Sequence, residues 1–177
     1  MFYLTLTKFF LDFFLFYIIM NNPIEAVCVI NQNNINGTII FKEDLKNKNV
    51  IITINLSGLT PGLHGFHVHE YGDLREGCGS LCGHYNPKNK KHGGPNDKER
   101  HVGDLGNIKA NANGVCKMKF TDEVIKLRGK YSIIGRSIVI HEDEDDLGKG
   151  GHSDSLTTGH AGKRIACSII GYSRNNK

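Results

Sequence analysis

Gly65-Phe66-His67-Val68-His69-Glu70 reads as strand, and the residues after it do not. The chain runs on through His84-Tyr85-Asn86-Pro87 and His92-Gly93-Gly94-Pro95 to His101-Val102-Gly103-Asp104, with many turn formers and few helix formers between. Residues two apart on a strand point to one face, so His67 and His69 present two imidazoles side by side. Alone, such a pair is ordinary surface or core. With His84, His92 and His101 in the loop behind it and Asp104 closing the stretch, it becomes a metal-site pattern. The stretch predicts a rigid sheet that hands over to a long loop carrying the chemistry.

Outward from this stretch the signals are short and of period two. Ala26, Cys28 and Ile30 alternate with Val27 and Val29, and Ile52, Ile54 and Leu56 with Ile51, Thr53 and Asn55. Cys116, Met118 and Phe120 alternate with Lys117 and Lys119. Asn36-Gly37 is a hairpin-turn signal ahead of Ile39 and Phe41, and Asn113-Gly114 is another. Ile133-Ile134, Ile138-Val139-Ile140 and Ile165 to Ile170 are further apolar runs. No window holds a helical apolar stripe over three turns; Thr121 to Lys126 predicts one helical turn at most. The pattern is that of an all-β antiparallel barrel or sandwich. Two stretches do not fit as strands, Tyr71 to Asn107 and Glu142 to Lys163, and ordered loops of that length are usually functional.

The 177 residues suit one domain, and the formal net charge of +4 is a mild excess. No run of Lys and Arg interleaved with aromatics points to nucleic acid; Lys88, Lys90 and Lys91 read as a solvated loop face. The five cysteines are odd in number, and no paired C-x-x-C suggests a zinc finger, so spacing leaves their connectivity open. Residues 1–22 form an apolar extension interrupted by Asp12, ahead of a domain over residues 23–177. The extension reads as a signal or anchor without a small-residue cleavage site, or as an unused upstream start with Met20 the true one. Met20 as start predicts a cytoplasmic protein, and a working signal a secreted one. Stable membrane insertion is not expected of so short a stretch. Asn36-Gly37-Thr38 and Asn55-Leu56-Ser57 are glycosylation triplets that matter only after secretion.

Three imidazole nitrogens and one carboxylate, from His84, His92, His101 and Asp104, make the closed tetrahedral set that zinc prefers in a structural role. A metal also gives a long loop without its own core a reason to be ordered. His141 ends the run Ile138-Val139-Ile140 and can reach the same end of the scaffold as His67 and His69. If a loop histidine joins them, four imidazoles without a carboxylate suit copper.

At this point the residues resemble a known family. Gly65 to Glu70, Lys91-His92-Gly93-Gly94-Pro95, Arg100 to Asn107, Ile134-Gly135-Arg136, Asp145 to Gly151 and Gly162-Lys163-Arg164-Ile165-Ala166-Cys167 are similar, in order, to copper/zinc superoxide dismutases. The resemblance spans about Glu25 to Tyr172. It implies an eight-stranded Greek-key barrel and one copper and one zinc per subunit. Copper would be held by His67, His69, His84 and His141, and zinc by His84, His92, His101 and Asp104. His84 would be the shared bridge, Asp145 would hydrogen-bond a ligand of each metal, and Cys78 and Cys167 would form a disulfide. Arg164 would bind the superoxide anion. A homodimer, with Val27, Tyr71, Ile134 and Tyr172 at its interface, and a copper chaperone are the partners it implies.

The sequence departs from the family in places. Asp143 and Thr157 stand where many members carry lysine, and Ser153 replaces an acid, so the expected rate is less sensitive to salt. Cys82 is extra and reads as a free thiol, with competition for Cys167 as its alternative. Cys28 and Cys116 read as small buried residues, His64 as a structural hydrogen-bonding residue, and His152 and His160 as histidines without a ligand role. The rival readings are a copper-delivery protein, whose C-x-x-C domain this chain lacks, and a zinc-only structural or storage module.

Overall fold

The computed structural model describes residues 22–174. The segment read as signal, anchor or unused start falls, apart from Asn22, on residues outside these.

Two antiparallel sheets face each other across one core. The first has the order β6-β3-β2-β1-β9 and the second β5-β4-β7-β8. Their strands are β1 (Glu25–Gln32), β2 (Ile35–Asp44), β3 (Asn49–Ser57), β4 (Gly62–His69), β5 (Asp104–Ala110), β6 (Cys116–Asp122), β7 (Ser137–His141), β8 (Arg164–Ile169) and β9 (Gly171–Tyr172). Eight strands carry the architecture, as expected, and β9 is a two-residue addition on the edge of β1. The period-two reading of β3 holds: Val50, Ile52, Ile54 and Leu56 are buried, with Ile52 opposite Phe41 and Ile54 opposite Ile39 of β2, in one core with Phe66, Val68, Ile138 and Ile140. Cys28 and Cys116 lie in that core as free thiols.

Two local expectations are corrected. The first hairpin turns at Asn33-Asn34 and not at Asn36-Gly37. Both asparagines take positive φ, 52° and 65°, the conformation that a tight primed turn needs and that asparagine tolerates. Gly37 lies inside β2 (φ 141°), where a Cβ would meet Asn55 O at 2.0 Å; close backbone approach, not turning, requires that glycine. The helical turn expected over Thr121 to Lys126 does not form. β6 runs to Asp122, whose Oδ1 accepts from the N–H groups of Val124 and Ile125 at 2.8 Å each. Its Oδ2 accepts from buried Arg100 at 2.5 Å.

The first long loop is shorter than expected at its end, because β5 already begins at Asp104. It is pinned by a disulfide between Cys78 and Cys167. Beneath that bond Leu81 and Val139 form a small second cluster on the outer face of the four-stranded sheet. The second long loop carries one short helix, α1 (Ser155–Thr158), which the sequence did not announce.

Candidate metal centre

Phe66 and Val68 of β4 face the core, so His67 and His69 face outward. β7 pairs with β4 antiparallel, with Val139 opposite His67, and two residues on His141 emerges on the same outer face. The ladders slip at two points, between Gly65 and His67 on β4 and between Ile140 and His141 on β7. Irregularities of this kind re-aim side chains, and both adjoin histidines of the cluster. The two long loops close over that face. His84 comes from the first loop by a bridge to His69, and the rings of His67 and His84 stack at 4.0 Å.

Two groups of four result, each with its ligand atoms within 4.8 Å of one another and every member buried. One is His67, His69, His84 and His141; the other is His84, His92, His101 and Asp104. These are the sets expected from the sequence.

The hydrogen bonds decide which nitrogen each ring can offer. His67 Nε2 lies 2.8 Å from Asp145 Oδ2, His69 Nδ1 2.9 Å from Cys82 O, and His141 Nδ1 3.2 Å from Gly162 O. Their other nitrogens, His67 Nδ1, His69 Nε2 and His141 Nε2, are buried without a hydrogen-bond partner among the described residues, and so is His84 Nε2. An unsatisfied buried polar atom costs about 1–3 kcal/mol, and four at one point demand a common partner. Burial lowers the pKa of all four rings. His67 falls well below the ordinary value, and His141 falls to about 4. The four are therefore neutral near pH 7, with lone pairs free. A cation satisfies them, and an all-imidazole set fits copper.

The second group is closed by a carboxylate. Asp104 Oδ1 lies 2.9 Å from His84 Nδ1, 3.1 Å from His92 Nδ1 and 3.0 Å from His101 Nδ1. His84 Nδ1 and His101 Nδ1 are 3.4 Å apart. Edges of this length belong to a tetrahedron of roughly 2.0 Å radius, the distance zinc takes from nitrogen and oxygen. Asp104 Oδ2 is held by the N–H groups of Gly93 and His101, 3.1 and 2.8 Å away. Burial opposes the charge on Asp104, but the hydrogen bonds from His101, His84 and His92 outweigh it and hold the carboxyl far below its usual range. Burial likewise opposes charge on His92. The bonds to Asp104 and Asp145 win there too and raise it to about 9.

Asp145 ties the groups together. Its two oxygens take His67 Nε2 and His92 Nε2, each at 2.8 Å, one ring from each cluster. With His67 and His92 it forms a third buried group of metal-ligating type, but its oxygens are spent on ring nitrogens. Gly159 (φ 69°) makes room for this: a Cβ there would stand 2.0 Å from Asp145 Oδ1. Sequence reasoning gave Asn107 no role. Its Oδ1 accepts from Asp145 N and its Nδ2 donates to Asp145 O, both at 2.8 Å, which locks the Asp145 backbone. It also missed Cys82, whose carbonyl takes both His69 Nδ1 and, at 2.6 Å, Arg164 Nη2. A carbonyl leaves no trace in residue type. Arg164 Nη1 donates to Cys78 O at 2.6 Å, so the guanidinium is fixed from two sides at the disulfide.

The remaining expectations fall as follows. His64 is structural, its ring nitrogens 2.8 Å from His141 O and 2.9 Å from Thr60 O. Cys82 is an exposed free thiol. Lys88 lies over the Tyr131 ring. His152 and His160 stay out of both clusters.

Comparison with known proteins agrees with this geometry. Residues 35–170 match the family model described as copper/zinc superoxide dismutase. The chain is 53% identical over 158 residues to the superoxide dismutase [Cu-Zn] of Paramecium bursaria Chlorella virus 1, covering 89% of this chain and 83% of that one. It is 48% identical to the extracellular superoxide dismutase [Cu-Zn] of Drosophila melanogaster, over 85% of this chain and 87% of the relative. Among solved structures it is similar to the clock protein EA4, with a TM-score of 0.83 and 45% identity, over 86% of this chain and 97% of that one. With two histidine clusters that share His84 on a sandwich of two antiparallel sheets and a family match over most of its length, the chain belongs to the copper/zinc superoxide dismutase family.

Proposed function

We propose that the protein disproportionates superoxide, two anions and two protons giving dioxygen and hydrogen peroxide, as an antioxidant enzyme. The observation that carries the reading is the set of four unpartnered, buried imidazole nitrogens beside a carboxylate-closed tetrahedral set, with His84 in both. Copper held by His67, His69, His84 and His141 would supply a one-electron couple, and zinc held by His84, His92, His101 and Asp104 a fixed positive charge.

The chain's own groups supply the rest. Arg164 carries a permanent positive charge on a planar fork of donors. Two of those donors are committed to Cys78 O and Cys82 O, and the others are left for a small anion. His84 Nε2 has no hydrogen-bond partner among the described residues, while Nδ1 of the same ring is held toward Asp104, so Nε2 is the atom that can take up and release a proton. Asp145 keeps His67 and His92 in the tautomers that turn Nδ1 inward.

Exposed apolar side chains support a homodimer. Tyr71 is 53% exposed and Tyr172 63%. Val27 and Ile134, half-buried, would complete the surface. A copper chaperone would be a second partner. Residues 1–22 would be an extension to a domain over residues 23–177, and the relatives include an extracellular enzyme. Among the described residues no helix is long and apolar enough to cross a membrane.

The test is elemental analysis of purified protein beside a superoxide assay with and without copper chelation. The reading expects copper and zinc, with activity lost on chelation and regained with copper. Zinc alone, with no activity once copper is supplied, would sink it.

A further inference from the structure

The Ile134-Gly135-Arg136 motif is left unused by this chemistry, and Arg136 packs against a joint of the metal centre. The joint is a closed ring of three backbone hydrogen bonds. Tyr85 N donates to Val68 O at 2.8 Å, Val68 N to Gly103 O at 2.9 Å, and Gly103 N to Tyr85 O at 2.9 Å. Each of the three residues adjoins ligands. Val68 stands between His67 and His69, Tyr85 follows His84, and Gly103 follows His101-Val102 and precedes Asp104. The ring thus ties together the three segments that carry five of the seven residues in the two groups of four. A Cβ on Gly103 would stand 2.2 Å from Val68 O and 3.0 Å from Tyr85 N, so the ring closes only over glycine.

The side chain of Tyr85 is held separately. Its ring is buried, and its hydroxyl donates to Lys130 O at 3.2 Å. Arg136 Cζ lies 3.5 Å from the ring centroid, well within the reach of a cation over an aromatic face. The same guanidinium donates from Nη1 to Glu70 O at 2.5 Å and from Nε to Ser132 O at 3.2 Å. Glu70 follows His69, and its N–H donates to Gly83 O, one residue before His84, at 3.0 Å. Arg136 therefore spans from the residue after His69 to the residue after His84. A planar fork can stack on a ring and donate in its own plane at once, which a lysine ammonium cannot.

We propose that Arg136 is a positioning residue for the shared ring. Pressed on Tyr85 and tied to Glu70 O, it fixes the backbone on which His84 is set, and so the aim of His84 between the two clusters. The assignment rests on the dismutase reading above.

Titration of the metal-free protein with Cu(II) and Zn(II), and electron paramagnetic resonance of the copper-plus-zinc protein, test this. Arg136→Leu should weaken binding of both metals about 10-fold, because both groups use His84, and should shift the Cu(II) spectrum. Arg136→Lys keeps the charge without the fork and should change both readouts less, in the same direction. Tyr85→Phe, which keeps the ring, should leave the spectrum in place, and Tyr85→Leu should shift it. The Tyr85→Leu, Arg136→Leu double variant should bind no more weakly than the weaker single one. A lowered Tm with parental affinities and a parental spectrum would make Arg136 structural only and overturn the proposal, as would single losses that multiply in the double variant. Where Arg136→Leu does not fold, Arg136→Lys and Tyr85→Leu decide in the same way. A parent protein that takes up no copper overturns the dismutase reading and the positioning role with it.

Discussion

Four imidazoles meet in one cluster and three meet a carboxylate in the other, with His84 in both. The first cluster is held from outside. Asp145, Cys82 O and Gly162 O each fix the back of one ring, and the inward nitrogens have no hydrogen-bond partner among the described residues. The second is held from inside, Asp104 Oδ1 touching three ring nitrogens. Without metal, the first is a set of neutral lone pairs facing each other, and the second already contains its own anion. Scaffold shape alone does not separate the two; the position of one carboxylate does.

The strongest way to break the comparison is at the shared ring. His84→Ala should weaken binding of both metals by more than the 10–100-fold typical of a supporting residue and abolish dismutation. His141→Ala should damage only the copper set and His92→Ala chiefly the zinc set. Metal content of the three variants checks this, and a His84 variant that keeps either metal at full strength contradicts the sharing. Asp145→Asn comes next. One of its two contacts would then face an amide N–H, so affinity for both metals should fall about 10–100-fold, with the fold unchanged by circular dichroism.

What the sequence showed and what it hid follow the same division. His67 and His69 were legible because a strand has period two, and His141 because it ends an apolar run. The partners that fix the rings were mostly not. Cys82 and Gly162 act through their carbonyls, and Asn107 of β5 acts on the backbone of Asp145 in the second long loop. The hairpin was misplaced because Asn36-Gly37 carries the stronger turn signal, while Asn33-Asn34 realises the turn. Asp122 ended the expected helical turn by taking the N–H groups of Val124 and Ile125 for itself.

The metal-free protein sharpens the electrostatic contrast. His141, with its pKa lowered by burial to about 4, adds stability that is present above the unfolded value near 6.5 and is lost as pH falls through about 4. His67, His69 and His84 act in the same direction. His92 has the opposite sign. Raised to about 9, it adds stability that is present below 6.5 and lost as pH rises through about 9. Calorimetric Tm of the metal-free protein should therefore peak near neutral pH and fall on both sides, and metal should flatten both slopes. A monotonic profile would contradict the contrast.

A smaller effect is expected at Cys82, which holds His69 and Arg164 from φ 62°, ψ −153°, a region nearly reserved for glycine. Cys82→Gly keeps the carbonyl and relieves about 1–3 kcal/mol of strain, so Tm should rise by a few degrees with activity retained. An unchanged or lower Tm would show that the thiol compensates the backbone.

The sharing of His84 is tested most directly by electron paramagnetic resonance of Cu(II) in protein loaded with copper alone and with copper plus zinc. The two clusters as built here predict that filling the second changes the copper spectrum, and that His92→Ala weakens the change. Identical spectra in the two preparations, with both metals bound, would contradict it.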